Sequence, residues 1–449
     1  MSEKSLKRPR KIAFYGLFGQ QNWGNECTLQ AIIHNVRIRF PDAELKCFCT
    51  GPADTSQRHN IPAYPISNRY AKGYIVEPTK PRHLMIRLIR KVFIGMPMEL
   101  VSWLTACKSL RGFDMLLVPG TGLLTDFSSS PFGLPYRLFK WALIAKLCRC
   151  MLLFVSVGAG PIYHPLTKWL LRAALSLAEY RSYRDNYSKS FVESIGFKTD
   201  NDRLYPDLAF SLPRELFPEC KHRHSRRTIV GVGVKDYYGV LGLPQRGGQV
   251  KYRAFINNLS ALVSWLLENG YSVRLLIGDP LYDNKVKQDL MDSLPKTLRL
   301  HGNQQIINEP ILSVDELVSQ IAATDMVISA RFHNILLAIM MEKPVISLSY
   351  HPKFASLMDG VGLGRYCHDI DDLNIDDLTS DIVDLQRRFE TLEPAMSLTV
   401  ERYRHALDEQ YARIVNWDLE EVSRAAAAVR DADRDFLQAE YHERGQHNA

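Results

Sequence analysis

Residues 325–353 constrain the fold of this chain more than any other stretch. Two short runs of strand-forming residues, Met326–Ser329 and Val345–Ser349, flank a segment that is too long and too rich in Leu and Met for a strand. That segment, residues 332–342, carries apolar side chains nearly all round a helix, so it should be buried against a parallel sheet. The pattern of strand, buried helix and strand predicts a doubly wound α/β domain.

The N-terminal end of the predicted helix is polar, with Arg331 and His333 placed where the strand gives way to the helix. Ligands of open α/β sheets bind at the carboxyl ends of strands. The free N–H groups and the dipole of a helix start favour an anion at that point. We therefore predict an anion-binding corner of an active site. The alternative is structural, with an ion pair for Arg331 and an ordinary polar contact for His333.

Length and charge limit the possible classes of protein. A chain of 449 residues exceeds what one hydrophobic core usually organises, so two domains are expected. The net charge of +7 fits an anionic substrate or an anionic membrane surface, but there is no dense basic stripe of a nucleic-acid binder. The eight cysteines lack zinc spacing, and the D-x-D spacings near residues 369 and 431 read as solvated surface, so no metal site is expected.

The order of predicted elements divides the chain into five parts. A flexible basic N-terminus covers residues 1–10, and a first Rossmann-like domain covers residues 11–213. A polar, proline-bearing linker at 214–227 leads to a second Rossmann-like domain at 228–368, and a helical segment occupies 369–449. The N-terminus has no apolar core of a signal peptide, and buried thiols suit a reducing compartment, so a cytoplasmic protein is predicted.

Three glycine-bearing turns follow predicted strands of the first domain, and each is a candidate ligand-lining loop. None has the spacing of a dinucleotide or ATP motif, and plain tight turns are the alternative. The candidate residues of the three loops are Gly16, Asn22 and Gly24, then Gly120, Thr121, Gly122 and Asp126, and finally Gly158 and Gly160. Arg184 also stands at a strand end before a helix, which favours an anion, unless it forms a salt bridge with Asp185 or Asp207.

Two segments of the first domain have a distinct composition. Residues 50–81 are rich in Pro, Asn, Tyr and Gly and are predicted to form a long surface loop. Residues 82–103 combine an apolar series with four basic residues, a pattern of helices that lie on anionic membranes. They are therefore a candidate peripheral membrane contact. The alternative is a helix packed on the domain with a solvated basic face.

Several motifs together resemble the polysaccharide pyruvyl transferase family. They include G-L-F-G-Q-Q-N-W-G-N-E near the N-terminus, P-G-T-G-L-L-T-D, S-V-G-A-G-P, Y-R-D-N-Y-S, Y-P-D-L-A-F and the S-A-R-F-H-N stretch. The resemblance implies a fold similar to GT-B glycosyltransferases, with two Rossmann-like domains facing a cleft, an acceptor side in the first domain and a donor side in the second. Asn25 and Thr121 depart from the family pattern, which often has Asp and Gly there.

The resemblance also implies an activity. Family members transfer the enolpyruvyl group of phosphoenolpyruvate onto two hydroxyls of a sugar, on a polysaccharide or a lipid-linked oligosaccharide precursor, forming a pyruvate ketal and releasing phosphate. By motif position, Arg331, His333 and Arg184 match the residues that hold and activate the donor. His333 is the candidate acid/base, and Lys353 adds positive charge over the departing phosphate. No metal or cofactor is required beyond phosphoenolpyruvate as donor substrate.

Two other classes of function fit the same residues. A nucleotide-sugar glycosyltransferase of the same architecture would use the arginine and histidine on a diphosphate, and fold alone does not separate the two. A non-catalytic glycan-binding partner of a polysaccharide assembly complex would need no turnover at His333.

Overall fold

Two parallel β-sheets form the framework of the protein in a computed structural model. The structure describes residues 10–67, 93, 95–126, 129–218, 227–236, 248–301 and 305–446, and within these the side chains of 299–301 and 416–446 are not described. The two sheets confirm the predicted pair of doubly wound α/β domains, followed by a helical C-terminal segment.

The first sheet has seven strands in the order β3-β2-β1-β4-β5-β6-β7, all parallel. Because its central strands are covered on both faces, they are apolar along their length; every residue of β4 is buried. The strands are β1 (Lys11–Gly16), β2 (Glu44–Cys49), β3 (Ala63–Pro65), β4 (Met115–Pro119), β5 (Met151–Val157), β6 (Tyr180–Tyr183) and β7 (Arg203–Leu204).

The second sheet has six parallel strands in the order β10-β9-β8-β11-β12-β13. The strands are β8 (Ile229–Gly233), β9 (Ser272–Leu276), β10 (Ile306–Ile307), β11 (Met326–Ser329), β12 (Val345–Ser349) and β13 (Cys367–Asp369). In both sheets the chain order reverses at one place, between β1 and β4 in the first and between β8 and β11 in the second. Such reversal points are where doubly wound sheets bind their ligands.

Helices connect the strands, and side-chain caps start several of them. Asn22 accepts a hydrogen bond from the backbone N–H of Asn25 at the start of α1, and Ser313 does the same for Glu316 at the start of α10. The helices of the two domains are α1 (Trp23–Arg39), α2 (Pro52–His59), α3 (Met96–Leu110), α4 (Leu134–Leu147), α5 (Pro165–Ser176), α6 (Asn186–Ser194), α7 (Gly248–Glu268), α8 (Pro280–Ser293), α9 (Lys296–His301), α10 (Val314–Ala322), α11 (Phe332–Met340) and α12 (Pro352–Gly360). Within the described ranges, no helix has the length and hydrophobicity to cross a bilayer.

The C-terminal helix α13 (Ile375–Gln446) joins the two domains. Near its start it contacts the second domain, where Tyr366 donates to Asp384 at 2.8 Å. Further along it contacts the first domain, where the fully buried Gln410 accepts from Ser156 at 3.0 Å and donates to Ser182 at 2.6 Å. One apolar core runs through α1, the Leu208–Ser211 turn and α13 into the second domain, so the two halves share buried surface.

The segment of residues 325–353 folds as predicted. Strands β11 and β12 have the predicted bounds, and α11 ends at Met340, two residues before the predicted end. Every residue of α11 except His333 is buried, which confirms the expected packing of this helix against the sheet.

The structure differs from the sequence prediction in the first domain. The surface loop expected over residues 50–81 is wrong in its first part, because α2 and β3 form there and residues 68–81 lie outside the described ranges. Helix α2 begins at Pro52, and proline is common in the first turn of a helix. The many turn-forming residues around it made this helix start hard to recognise in the sequence. Of the candidate membrane segment, residues 82–92 lie outside the described ranges, and α3 begins only at Met96.

The buried amide of Gln410 generates a stability prediction. Gln410→Leu replaces the amide by an apolar side chain one bond shorter and leaves the hydroxyls of Ser156 and Ser182 without their partner on α13. We expect the free energy of unfolding to fall by about 1–3 kcal/mol in urea denaturation. The exposed neighbour Glu409→Gln is the control, with a change below about 0.5 kcal/mol. Equal stability of Gln410→Leu and the wild type would contradict the role assigned to this contact.

Candidate active site

A cavity of about 140 Å³ lies between the two domains, where the two reversal points face each other. It is lined by Asn22, Gly24, Asn25, Gly120, Thr121, Gly122, Arg184, Gly278, Leu317, Arg331, Phe332, His333, Asn334, Tyr350 and Lys353. Both predicted arginines, the predicted histidine and lysine, and residues of two of the three glycine turns therefore meet at one place.

Four of the candidate site residues do not line this cavity. Asp126 accepts hydrogen bonds from the backbone N–H groups of Tyr163 and His164 at 2.8 and 2.9 Å, so it ties two loops together. The other three are glycines that allow close packing. A Cβ at Gly16 would meet the Phe18 ring, one at Gly158 would lie 2.7 Å from Arg184, and one at Gly160 would lie 2.8 Å from Phe191.

Arg331 is held by a buried carboxylate. Its guanidinium forms an ion pair with Asp283, whose side chain is fully buried. Asp283 also accepts hydrogen bonds from the backbone N–H groups of Gly278 and Asp279, both at 2.9 Å, and of Asp236 at 3.1 Å. Burial lowers the pKa of Arg331, but Asp283 outweighs it and raises the pKa above its usual value. The guanidinium is therefore a fixed, permanent cation at the end of β11.

Arg184 enters the cavity from the first domain. Its guanidinium lies 3.3 Å from Asp185 and 3.2 Å from Asp207, so both ion pairs considered as the structural alternative are present. These pairs do not remove the residue from the cavity, since Arg184 is also one of its lining residues. The ion pairs fix the orientation of the Arg184 guanidinium. Arg184 at the end of β6 and Arg331 at the end of β11 therefore come from opposite domains and line the same small cavity.

His333 lies against the start of α1. A Cβ at Gly24 would collide with the imidazole, so this close approach requires glycine. The Nε2 atom of His333 is buried and has no hydrogen-bond partner among the described residues; Asp207 is 3.9 Å from it. An imidazole nitrogen in this position is available to a ligand.

The charge state of His333 follows from its surroundings. Burial lowers the pKa of His333 to about 4; the nearby Asp207 opposes this shift, while Arg184, Lys353 and Arg331 add to it. The ring is therefore neutral at pH 7. A neutral imidazole can accept a proton, and an anionic ligand beside it would raise its pKa toward neutrality.

Two lysines lie close to these charged groups. Burial and the neighbouring Arg184 hold the pKa of Lys353 well below its usual value, and its Nζ lies 5.1 Å from the centre of the Phe332 ring. Burial lowers the pKa of Lys235 to about 8, and its Nζ lies 4.6 Å from the Tyr350 ring centre. Aromatic faces accommodate an amino group of this kind when it is protonated.

The cavity wall carries polar atoms that the protein does not satisfy. Within the described ranges, Thr121 Oγ1, Arg331 Nε and both amide atoms of Asn334 are buried without a hydrogen-bond partner. Buried polar atoms are normally paired, so several unpaired ones on one cavity wall need an explanation, and a polar ligand that pairs with them supplies one. This favours a small, polar, anionic ligand.

A larger groove of about 640 Å³ lies further along α1, against the 312–315 segment of the second domain. Its residues Arg58 and His59 are already engaged, Arg58 with Asp54 at 2.9 Å and His59 with the buried Glu26 at 2.8 Å. The groove contains none of the candidate site residues, and we do not assign the chemistry to it.

Sequence reasoning did not assign several residues of the site. Asp207 lies in the Y-P-D-L-A-F motif, which offered a signal, although its contact with Arg184 was considered only as an alternative. Asp283 and Lys235 carry no local signal, because a single Asp in a helix or a single Lys after a strand is common on protein surfaces.

The fold is that of GT-B glycosyltransferases and epimerases. Similar solved structures include the UDP complex of MnaA from S. aureus, with 13% identity, 91% of this chain and 95% of the other covered, and a TM-score of 0.55. Anabaena HepE in complex with UDP and glucose has 14% identity, coverage of 90% and 99%, and a TM-score of 0.51. A glycosyltransferase from Rickettsia africae has 12% identity, coverage of 92% and 99%, and a TM-score of 0.52.

Family membership comes from the sequence. The model of the polysaccharide pyruvyl transferase family matches residues 22–352, which include α1, β4 and the segment that carries Arg331 and His333. The chain belongs to this family of transferases, as its motifs predicted. No curated protein sequence matches the chain.

The pKa of His333 generates a titration prediction. In the unliganded protein we expect the ring ¹⁵N shifts of His333 to titrate near pH 4, measured by NMR and assigned with His333→Gln. Because this pKa is depressed relative to the unfolded chain, His333 contributes stability above its unfolded pKa of about 6.5, and this is lost as pH falls toward 4. A midpoint near 6.5 would show that the ring is not desolvated.

The close approach of Gly24 to His333 generates a second prediction. Gly24→Ala adds a methyl group that must displace the imidazole, so the ring signals of His333 should shift while the protein stays folded. Gly122→Ala is the matched control, since a Cβ at that glycine has open space around it and the His333 signals should not move. Unchanged signals in Gly24→Ala would contradict the packing described here.

Proposed function

We propose that this protein transfers the enolpyruvyl group of phosphoenolpyruvate onto two hydroxyls of a sugar, forming a pyruvate ketal and releasing phosphate. The observation that supports it most directly is the meeting of Arg184, Arg331 and Lys353 around a cavity of about 140 Å³ beside a neutral His333. Family membership supplies the reaction class, transfer to a polysaccharide or its precursor.

The donor suits this cavity in charge and in size. Phosphoenolpyruvate carries a phosphate and a carboxylate close together, and guanidinium groups bind such oxyanions with paired hydrogen bonds. Pockets that bury drug-sized ligands usually measure about 300–1,000 Å³, so this smaller space favours a compact anion. A nucleotide sugar would need considerably more room than this space offers.

The reaction needs proton transfers that one imidazole can serve. The methylene carbon of the donor gains a proton and becomes the methyl group of the ketal. The two sugar hydroxyls lose their protons as their oxygens bond to the former enol carbon, whose bond to the phosphate oxygen breaks. One of the two hydroxyl protons ends on the new methyl group, and the other leaves with the phosphate. His333, neutral when the site is empty, accepts a hydroxyl proton and delivers it to the methylene carbon.

The remaining residues have electrostatic roles in this proposal. Arg331 and Arg184 hold the donor, and Lys353 adds positive charge where the phosphate departs. No step needs a metal ion or a dissociable cofactor. The acceptor is a sugar of a polysaccharide or of its lipid-linked oligosaccharide precursor, which enters from the first domain. The seven cysteines in the described part of the chain are free thiols, which fits a cytoplasmic protein.

The test is a donor assay with purified protein. Incubation with phosphoenolpyruvate and candidate glycan acceptors should release inorganic phosphate in proportion to ketal formed, detected by mass spectrometry. The similarity to structures that hold UDP makes a nucleotide-sugar glycosyltransferase the second candidate. Turnover that requires a nucleotide sugar and ignores phosphoenolpyruvate would overturn the proposal.

Two substitutions separate binding from chemistry. His333→Gln should lower kcat roughly 10²–10⁴-fold with little change in the donor KM, because it removes proton transfer. Arg331→Lys should raise the donor KM about tenfold or more, since a point charge replaces a planar pair of donors. His405→Gln and Arg387→Lys are controls on exposed positions of α13 and should leave both constants unchanged. A wild-type rate in His333→Gln would contradict the acid/base role of His333, and the absence of any transfer by the wild type would favour a non-catalytic glycan-binding role.

A further inference from the structure

Helix α3 presents its apolar side chains to solvent. The residues it buries are Ser102, Ala106 and Leu110, two of them small. The opposite face exposes large apolar side chains to at least half of their full area. These are Met96, Met98, Leu100, Val101 and Leu104, with Phe93 just before the helix. Amphipathic helices of globular proteins normally bury their large apolar side chains and expose their small or polar ones. An exposed apolar face of this kind is typical of an interaction surface.

The apolar end of α3 lies on the same side of the domain as the cavity. Helix α4 begins where the chain leaves the carboxyl end of β4, after the Gly120–Thr121–Gly122 turn that lines the cavity. Helices α3 and α4 run side by side in the same direction. Glu99 meets Tyr136 and Lys140 near both starts, at 3.1 and 2.7 Å, and the Cys148 thiol donates to the Cys107 carbonyl near both ends. The start of α3 is therefore at the carboxyl edge of the sheet.

The charges of α3 complement an anionic surface. Its one acidic residue, Glu99, bonds to Lys140 and Tyr136 on α4. The exposed side continues from the apolar residues to the exposed Lys108 and Arg111. In the sequence, Arg87, Arg90 and Lys91 precede this helix; they lie outside the described ranges and are not part of the proposed surface.

We propose that the exposed face of α3, formed by Met96, Leu100, Val101 and Leu104 together with Lys108 and Arg111, docks on an anionic lipid bilayer. The aliphatic side chains enter the boundary between headgroups and acyl chains, and the two cations contact anionic headgroups. The start of α3, at the carboxyl edge of the sheet, then lies against the membrane, where a lipid-anchored acceptor would be presented. The proposal does not depend on the identity of the donor.

A second copy of the chain is a weaker occupant for this face. The formal net charge of +7 opposes the close approach of two copies and favours an anionic surface. Lysine and arginine next to exposed aliphatic residues match the composition of helices that lie in a membrane interface.

Vesicle co-sedimentation tests the proposal with the full chain. The wild type should bind vesicles of phosphatidylcholine and phosphatidylglycerol, and bind phosphatidylcholine alone much less. Replacing Leu100, Val101 and Leu104 by Gln should lower binding to the mixed vesicles roughly tenfold or more. Leu398→Gln, at an exposed apolar position of α13, is the matched control and should bind like the wild type. Lys108→Gln with Arg111→Gln should lower binding only to the anionic vesicles.

Three results would overturn the proposal. They are the absence of vesicle binding by the wild type, equal binding by the triple variant, and a lipid-free dimer that the triple variant disrupts in analytical ultracentrifugation. A thermal melt of each variant shows that it is folded. Because phosphate release from a water-soluble acceptor should be the same in the triple variant and the wild type, a failed docking test leaves the transferase assay independent.

Discussion

The ion pair between Asp283 and Arg331 is the interaction on which the site depends. A buried guanidinium without a partner would be costly, and Asp283 makes it acceptable by adding a full negative charge and orienting the group. The same carboxylate accepts three backbone N–H groups from the chain just after β8 and β9. The Asp283 side chain thus holds the Arg331 guanidinium and the chain segments that follow β8 and β9.

The first domain repeats this arrangement with different residues. Asp207 and Asp185 hold Arg184 at the end of β6, and Asp207 also approaches His333 from across the cleft. Helix α1 closes the space between the domains, because its start donates a hydrogen bond from Trp23 N–H to the Gly278 carbonyl at 2.9 Å. Positively charged groups in a confined space of low dielectric constant interact with an anion more strongly than they would in bulk water.

The link between the domains is continuous. A shared apolar core and the crossing helix α13 tie the two sheets together, so the cavity is defined by both domains rather than by one. Independent domain motion is the usual expectation when an interface is small and polar. Here Gln410, buried against β5 and β6, makes the position of α13 part of the geometry of the site.

Local sequence patterns were enough to predict the individual strand and helix units. The apolar periodicity of residues 325–353 and the polar start of α11 were enough to predict the strand-helix-strand unit and to single out Arg331 and His333, because these signals lie within a few residues of each other. Which charges meet depends on contacts between segments that are far apart in the chain. Asp283 is 48 positions from Arg331, and Gly24 and His333 touch across two domains. The same packing keeps Gly16, Asp126, Gly158 and Gly160 outside the cavity, since loop geometry depends on contacts that no local pattern encodes.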